Sequence, residues 1–295
     1  VINWLASYPK SGNTWMRMLL ASYFDETDHE LDINKLAMTN GIASARMRFD
    51  EILGIDSTHL TDEEIKSLLP LVFEQIVQPG GAPQWIKVHD AQARTPTGQW
   101  LFPPSASGKA IYLIRNPLDV AVSRAFHDGH EDMAVAAAML CNPHAAVGGN
   151  GKPQLRQFMG DWSHHVSSWI DQPAIPVLVV RYEDMLDDAA RELTRVIAFA
   201  CPDTPIDPAR IAKAVADTAF DRLQAKEDQD GFKETTPKQK RFFRSGKAGG
   251  WAQHLSPEQA ARIIACHRVM MRRFGYIEPS RDSAGHAGEA ARRTC

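Results

Sequence analysis

Four short, uninterrupted apolar segments, each ending in a polar cluster, most constrain how this chain can fold. Residues 2–8 (INWLASY) run into Pro9-Lys10-Ser11-Gly12, and residues 85–88 (WIKV) run into His89. Residues 110–114 (AIYLI) deliver Arg115-Asn116-Pro117, and residues 175–180 (IPVLVV) deliver Arg181-Tyr182-Glu183-Asp184. Unbroken apolar runs of this length suit strands covered on both faces. With helical patterns between them they predict an α/β fold of three layers, α/β/α, around a central, mainly parallel sheet. The ligand crevice of such a sheet lies beyond the carboxyl ends of its strands, so the four polar clusters should meet on one side.

The helices are legible by period. Trp15, Met18, Leu19 and Ser22 share a face after the first loop, and Leu193, Val196, Ile197 and Ala200 share one after the fourth strand. Leu155, Phe158, Met159, Trp162, Val166 and Trp169 predict one long helix over 154–170. Capping boxes start two more, at Thr61 with Glu64 and at Ser256 with Gln259; the second has Pro257 at its first position and runs to Phe274 before Gly275 stops it. Residues 37–60, 90–108, 141–153 and 226–250 lack a regular pattern and read in part as lid or acceptor wall. One domain over 1–279 follows, with a flexible C-terminal tail at 280–295, where SRDSAGHAGEAARRTC has too little apolar content to pack.

Composition narrows the partners. With 33 Lys plus Arg against 36 Asp plus Glu, the formal net charge is -3, so there is no broad basic footprint for a nucleic acid and any anion site must be local. Cys141, Cys201, Cys266 and Cys295 form no CxxC pair, which argues against a disulfide framework or a zinc knuckle and fits a reducing, cytoplasmic compartment. No apolar run approaches the roughly 20 residues of a membrane span. Val-Ile-Asn-Trp at the start lacks the pattern of a secretion signal, and opening directly in a strand points to a missing initiator Met or short leader. Oligomeric state stays open between monomer and homodimer.

Two of the polar clusters are built for anions. After the first strand, Gly12 lets the backbone turn tightly, Ser11 and Thr14 offer hydroxyls, Lys10 adds a mobile charge, and the free amides of residues 12–15 point into the loop. The lysine precedes the Ser-Gly pair and the first glycine is absent, which separates this loop from the triphosphate loop GxxxxGK(S/T). The plain alternative is an ordinary strand-to-helix turn with a surface lysine. After the third strand, Arg115 offers a fork to two phosphate oxygens, Pro117 opens a helix, Asp119 meets the free amides there and Ser123 lies one turn on. Here the plain alternative is an ion pair between Arg115 and Asp119. Two anion sites at strand ends call for a ligand with two separated anionic groups.

YPKSGNTW resembles the 5'-phosphosulfate loop YPKSGTTW of the sulfotransferases that use 3'-phosphoadenosine 5'-phosphosulfate (PAPS), and RNPLDVAVS is similar to their 3'-phosphate motif RNPxDxxVS. On these residues the chain is identified as a member of that family, of the cytosolic type, with a P-loop-like phosphosulfate loop, and as a bacterial small-molecule sulfotransferase. The resemblance implies that Lys10, Thr14 and the amides of Ser11, Gly12, Asn13 and Trp15 cradle the phosphosulfate, that Arg115 and Ser123 hold the 3'-phosphate, and that Trp15 flanks the adenine. Trp85-Ile86-Lys87-Val88-His89 resembles the family segment KTH, which puts His89 forward as catalytic base and Lys87 as its companion. Tyr182 falls in a match to the YED element near adenine, and Thr218 and Phe220 in a match to the TSF element. The stretch from Phe243 to Trp251 is similar to RKGxxGDW and implies Arg244, Ser245 and Gly246 at the 3'-phosphate. Departures are Asn13 for Thr, Ser245 for Lys, Gly250 for Asp, and Asp90-Ala91 for Leu-Pro; Lys247 restores the charge lost at Ser245 only if its loop folds back.

These residue types suit sulfuryl transfer, which needs an acceptor, a sulfur and a leaving phosphate in line, with negative charge moving onto the departing oxygen. A histidine of reference pKa about 6.5 can take the acceptor's proton near pH 7, and no metal is required. Taken singly, His89 reads as a satisfied strand-end histidine, and Trp15 and Phe220 as core aromatics. His127, Asp128, His130, Glu131 and Asp132 lack metal-ligand spacing and read as a solvated helix end or acceptor-side loop. A nucleotide kinase would need GxxxxGK(S/T) and a strand-end acid for magnesium. A non-catalytic nucleotide binder on the same scaffold would have little use for both Lys10 and His89. The acceptor is expected to be a small molecule sulfated at a hydroxyl or amine, and Met38, Met47, Phe49, Trp100, Phe102 and Met139 point to an apolar or aromatic one.

Overall fold

The computed structural model describes residues 1–278 except 28, 37, 38, 40, 78, 79, 130, 131, 150 and 173, so the expected tail at 280–295 lies outside the described residues. The strands are β1 (Ile2–Ser7), β2 (Gly41–Ile42), β3 (Gln84–Val88), β4 (Ser107–Ile114), β5 (Ala146–Val147), β6 (Gln157–Phe158) and β7 (Val177–Arg181). The helices are α1 (Asn13–Phe24), α2 (Arg46–Leu53), α3 (Asp62–Ile76), α4 (Pro117–Asp128), α5 (Met133–Leu140), α6 (Trp162–Ile170), α7 (Tyr182–Asp187), α8 (Ala189–Ala200), α9 (Pro208–Asp217), α10 (Phe220–Asp230) and α11 (Pro257–Arg273).

Five strands form a parallel sheet in the order β2-β3-β1-β4-β7, and β5 and β6 make a separate antiparallel pair. β1 is the central strand and is buried throughout. Its side chains alternate between the two faces, as the pleat requires. Ile2, Trp4 and Ala6 join a cluster that includes Phe73 of α3, Val120 of α4, Trp162 of α6 and Ile263 of α11. Leu5 joins the opposite cluster, with Leu19 of α1, Leu193, Val196 and Ile197 of α8, and Ala214 of α9. This is the expected three-layer sandwich. Both predicted capping boxes form, at the starts of α3 and α11.

The helix expected over 154–170 begins only at Trp162. Gly160 adopts a left-handed φ of 64°, and Asp161 caps the helix by accepting from the His164 amide at 2.8 Å. Residues 157–158 pair with β5 instead. The apolar stripe misleads because Leu155 and Met159 reach the core from irregular backbone. The stretch 37–60, expected to be irregular, holds β2 and α2. Among the described residues no helix is long and apolar enough to cross a membrane.

Trp4 shows what the sheet rests on. It is fully buried, lies edge-on to Phe73 at 5.1 Å, and donates from Nε1 to Ser107 Oγ at 2.8 Å. Trp4→Ala should lower the unfolding free energy by about 3–5 kcal/mol in a denaturant titration, with Trp4→Phe costing markedly less. A Trp4→Ala protein as stable as the parent would remove this residue from the core's foundation.

Candidate active site

β1 passes to α1 through a turn that uses two left-handed residues. Lys10 has a φ of 73°, the only positive value outside glycine among the described residues, and Gly12 follows at 96°. A Cβ on Gly12 would meet the Tyr182 ring at 2.7 Å, so both the dihedral and the neighbouring ring demand glycine. Left-handed turns of this kind, at the start of a helix, aim backbone amides into one concavity suited to an anion. The Asn13 side chain faces the sheet, where Nδ2 donates to the Leu5 carbonyl at 2.8 Å and to Ser7 Oγ at 3.2 Å. Ser11 is buried beneath the loop, and it alone of the residues expected at the donor and the reacting group does not line the cavity above.

Because β3 and β4 flank β1, His89 and Arg115 arrive on either side of this loop. Arg115 donates from Nη1 to the Lys10 carbonyl at 3.2 Å and from Nη2 to the Lys247 carbonyl at 3.1 Å. Its guanidinium lies 4.3 Å from the centroid of the Tyr182 ring. The alternative ion pair with Asp119 does not form. Asp119 accepts from the amides of Gly249 at 2.8 Å and Trp251 at 3.1 Å, while Asn116 caps α4. Asp119 therefore serves the late loop instead of its own helix start. Trp15 donates from Nε1 to Thr218 Oγ1 at 3.3 Å and meets Tyr182 edge-on at 5.9 Å. Gly246, at a φ of 60°, packs on Phe220 so closely that a Cβ would approach its ring to 2.4 Å.

These groups, with Ser123, Arg244 and Ser245, surround a cavity of about 1060 Å³ that also reaches Lys10, Thr14, Lys87 and His89. Lys247 offers Arg115 its carbonyl, but its side chain is exposed and not among those lining the cavity, so it does not replace the charge missing at Ser245. Ser11 Oγ, Asn13 Oδ1 and Arg115 Nε are buried without a hydrogen-bond partner. Of these, Ser11 Oγ and Arg115 Nε are donors of the kind an anion uses, whereas Asn13 Oδ1 can only accept.

His89 Nδ1 donates to the Ser7 carbonyl at 2.8 Å, which leaves Nε2 as the nitrogen with a lone pair. Burial, reinforced by Lys87, pushes its pKa well below 6.5, so the ring is neutral at pH 7. The His89 carbonyl in turn accepts from His165 Nε2 at 3.0 Å, and His165 Nδ1 is bonded to the Tyr112 hydroxyl at 2.8 Å. Burial, with Lys87 and Arg124 nearby, pushes Lys10 down to about 7.

Sequence reasoning missed Arg17 and Glu234. Glu234 accepts from Thr14 Oγ1 at 3.0 Å and pairs with Lys87 at 3.4 Å and with the buried Arg17. Burial raises its pKa, but Lys87 and Arg17 outweigh that and hold it at about 2. A carboxylate of the protein thus engages two of the groups assigned to the phosphosulfate. Arg17 was findable as a charge among the apolar residues of α1; Glu234, one acid in an irregular stretch, carried no signal.

The acceptor side needs correction. Met38 lies outside the described residues, and none of the other five expected residues lines the cavity. Phe49 and Phe102 are core, Met139 packs against it, Met47 is exposed, and Trp100 lies beneath the Arg94 guanidinium at 3.8 Å. Ile42, Val147, Lys152, Gln154 and Gln157 line the cavity without having been expected there. His127 also lines the cavity and Asp128 pairs with Arg124, whereas His130 and Glu131 lie outside the described residues. Among the described residues no group of three or more His, Cys, Asp or Glu is arranged to hold a metal ion.

The sulfotransferase domain family matches residues 3–275, and the chain belongs to it. Its reaction class is therefore sulfuryl transfer. The chain is 26% identical over 273 residues to cytosolic sulfotransferase 15 of Arabidopsis thaliana, covering 88% of this chain and 69% of that relative. It is 25% identical over 274 residues to sulfotransferase 1C2 of Rattus norvegicus, covering 90% and 82%. Its fold is similar to that of mouse sulfotransferase SULT7A1 complexed with PAP, with a TM-score of 0.58, 21% identity, and coverage of 91% and 84%. Relatives from a plant and from rodents lend no support to a bacterial source.

Glu234→Gln would leave Lys87 and Arg17 uncompensated in a half-closed site. The variant should lose about 1–3 kcal/mol of unfolding free energy in plain buffer. Added sulfate should narrow the gap, since an anion in the cradle replaces the carboxylate. A gap that sulfate leaves untouched would show that Glu234 does not stand where anions bind.

Proposed function

We propose that this chain transfers a sulfuryl group from PAPS to a hydroxyl or amine of a small acceptor by in-line displacement, as a cytoplasmic enzyme whose residues 1–279 form one domain. The observation that carries the reading is the hydrogen bond from Arg115 to the Lys10 carbonyl, which brings the two anion loops within the span of one adenosine bisphosphate. PAP, the nucleotide in the mouse relative, is the product such a donor leaves, which supports the same donor here.

In this reading Lys10, Thr14 and the amides of Gly12, Asn13 and Trp15 hold the phosphosulfate, with Ser11 supporting the loop from below. Arg115, Ser123, Arg244, Ser245 and Gly246 hold the 3'-phosphate, and Trp15, Tyr182, Thr218 and Phe220 wall the adenine. His89 Nε2 takes the acceptor's proton as the acceptor atom bonds to sulfur. The bond from sulfur to the bridging oxygen breaks, and Lys10 and Lys87 meet the charge on the departing phosphate. Glu234 has to give up Thr14 and Lys87 for this, because two anions cannot share them.

His89→Ala should lower turnover of labelled donor by about 10²–10⁴-fold while calorimetry finds PAP affinity nearly intact. Arg115→Ala should weaken PAP by roughly 10- to 100-fold. Full turnover without His89 would remove it as base, and unchanged affinity without Arg115 would remove the 3'-phosphate assignment.

Lys10 adds a pH dependence. Its pKa in the free protein is lowered to about 7, and a bound anion favours the ammonium form, so affinity for PAP is greatest below pH 7 and falls as pH rises above it. At pH 8, calorimetry in buffers of different ionisation enthalpy should record uptake of about one proton on binding, and Lys10→Arg should abolish that uptake. Binding at pH 8 without proton uptake would contradict the linkage.

A further inference from the structure

The cavity holds a second imidazole, His127 of α4, outside both the donor cradle and the reacting pair. It is half-buried, and its Nδ1 lies 3.4 Å from Lys10 Nζ. An ammonium can only donate, so Nδ1 carries the lone pair and the ring proton sits on Nε2. Burial, then Lys10 and Arg124, push the His127 pKa down to about 4, so the ring is neutral at pH 7 and free to accept.

Helix α4 brings this ring to the lysine. Ser123 and His127 are one turn apart on the same side of the helix, and both line the cavity. The His127 carbonyl accepts from Thr236 Oγ1 at 3.1 Å, so the residue is also tied to the segment that carries Glu234. Lys10 starts from a left-handed backbone held by Arg115, but its four-carbon stem would leave the charge free to wander. Two contacts limit it: His127 takes one N–H, and the Phe242 ring covers another side at 4.5 Å from its centroid. The remaining direction is left for a ligand. Lys87 of β3, Arg115 beyond β4 and Arg124 of α4 disfavour the ammonium at Lys10, and Glu234 favours it. Asp128, the other ionisable group of this turn, is held by Arg124. His127 therefore adds an uncharged acceptor, which favours the ammonium without repelling an incoming anion as a carboxylate would.

We propose that His127 is a positioning residue for the leaving group: by accepting one N–H of Lys10 it turns another toward the oxygen that departs with the phosphate. It acts through Lys10 and not on the substrate. The inference rests on the sulfuryl-transfer reading and adds to it the residue that aims the lysine.

The test uses two variants of the full chain. His127→Phe keeps a flat ring and removes the acceptor, whereas His127→Asn keeps an acceptor, Oδ1, near the place of Nδ1. With labelled PAPS and 4-nitrophenol as the probe acceptor, kcat should fall roughly tenfold or more in His127→Phe and recover to within about threefold in His127→Asn. Where the probe turns over too slowly to measure, release of labelled sulfate to water is compared instead, since the same oxygen departs. Calorimetry supplies a readout that packing alone would not move. With Lys10 at about 7 in the free protein, PAP binding at pH 7 should take up about half a proton in the parent. Losing the acceptor lowers Lys10 further, so uptake at pH 7 should rise toward about one proton in His127→Phe and return to about half in His127→Asn. Melting temperature and PAP affinity at pH 6 establish that the variants fold. Parental kcat or parental uptake in His127→Phe, or no recovery in His127→Asn, overturns the proposal. Should His127→Phe fail to fold, imidazole ¹⁵N shifts of the wild-type protein decide: a His127 proton on Nε2 supports the proposal and one on Nδ1 overturns it. Failure of the underlying reading would look different, because PAP would then not bind the parent protein at any pH.

Discussion

The site depends on the position of β1. A strand buried on both faces and paired on both edges cannot shift its register without exposing Trp4 or Leu5, so its carboxyl end is fixed to within the rigidity of the core. The turn that follows inherits that precision. The left-handed backbone at Lys10 costs free energy that Gly12 avoids, and it persists because Arg115 holds the Lys10 carbonyl while Tyr182 covers Gly12. The cradle is thus set from three strands at once: β1 supplies the amides, β3 the imidazole, and β4 the guanidinium.

Concentrating cations without a ligand is a liability, and the fold answers it locally. Lys10, Arg17, Lys87, Arg115, Arg124 and Arg244 all border one cavity in a chain of net charge -3. Burial, and then repulsion by Lys87 and Arg124, depress Lys10, while Arg124 is relieved by Asp128 and Arg17 by Glu234. A neutral His89 beside Lys87 belongs to the same balance, since a charged imidazole there would add to the repulsion. Burial first and Lys87 second thus keep the His89 imidazole neutral beside the cations that the proposed function assigns to the donor.

How much was legible in the sequence follows from how far apart the partners lie. The donor loops are contiguous, and a residue such as Gly12 or Pro117 announces its backbone role by type alone. The four long strands were equally plain, because covered strands leave mostly apolar runs, although β7 at the sheet edge is only half-buried. The two-residue strands β2, β5 and β6 gave no such run, and the stripe over 155–169 imitated a helix that Gly160 and Asp161 delay to Trp162. Apolar residues in long loops could not be sorted from sequence into cavity wall and core. Phe49 and Phe102 went to the core, as large aromatics within reach of a sheet face usually do.

The strap over the cavity shows why Glu234 in particular was invisible. Residues 231–249 carry little regular structure, yet they are tied down by carboxylates outside the segment. Glu227 accepts from the amides of Phe242 and Phe243 and from Thr235 Oγ1, and Asp119 accepts from Gly249 and Trp251. Ahead of those anchors Glu234 makes a third attachment, to Thr14, Lys87 and Arg17, flanked by the bonds of Lys233 N to Asn34 Oδ1 and of Thr236 Oγ1 to the His127 carbonyl. The Glu227 and Asp119 attachments are mostly bonds to backbone amides, whereas the Glu234 attachment uses groups that the proposed function gives to the incoming anion. With Glu234 displaced, the segment would still be held by Asn34, Glu227, His127 and Asp119, so in the proposed reading a donor enters without unfolding it.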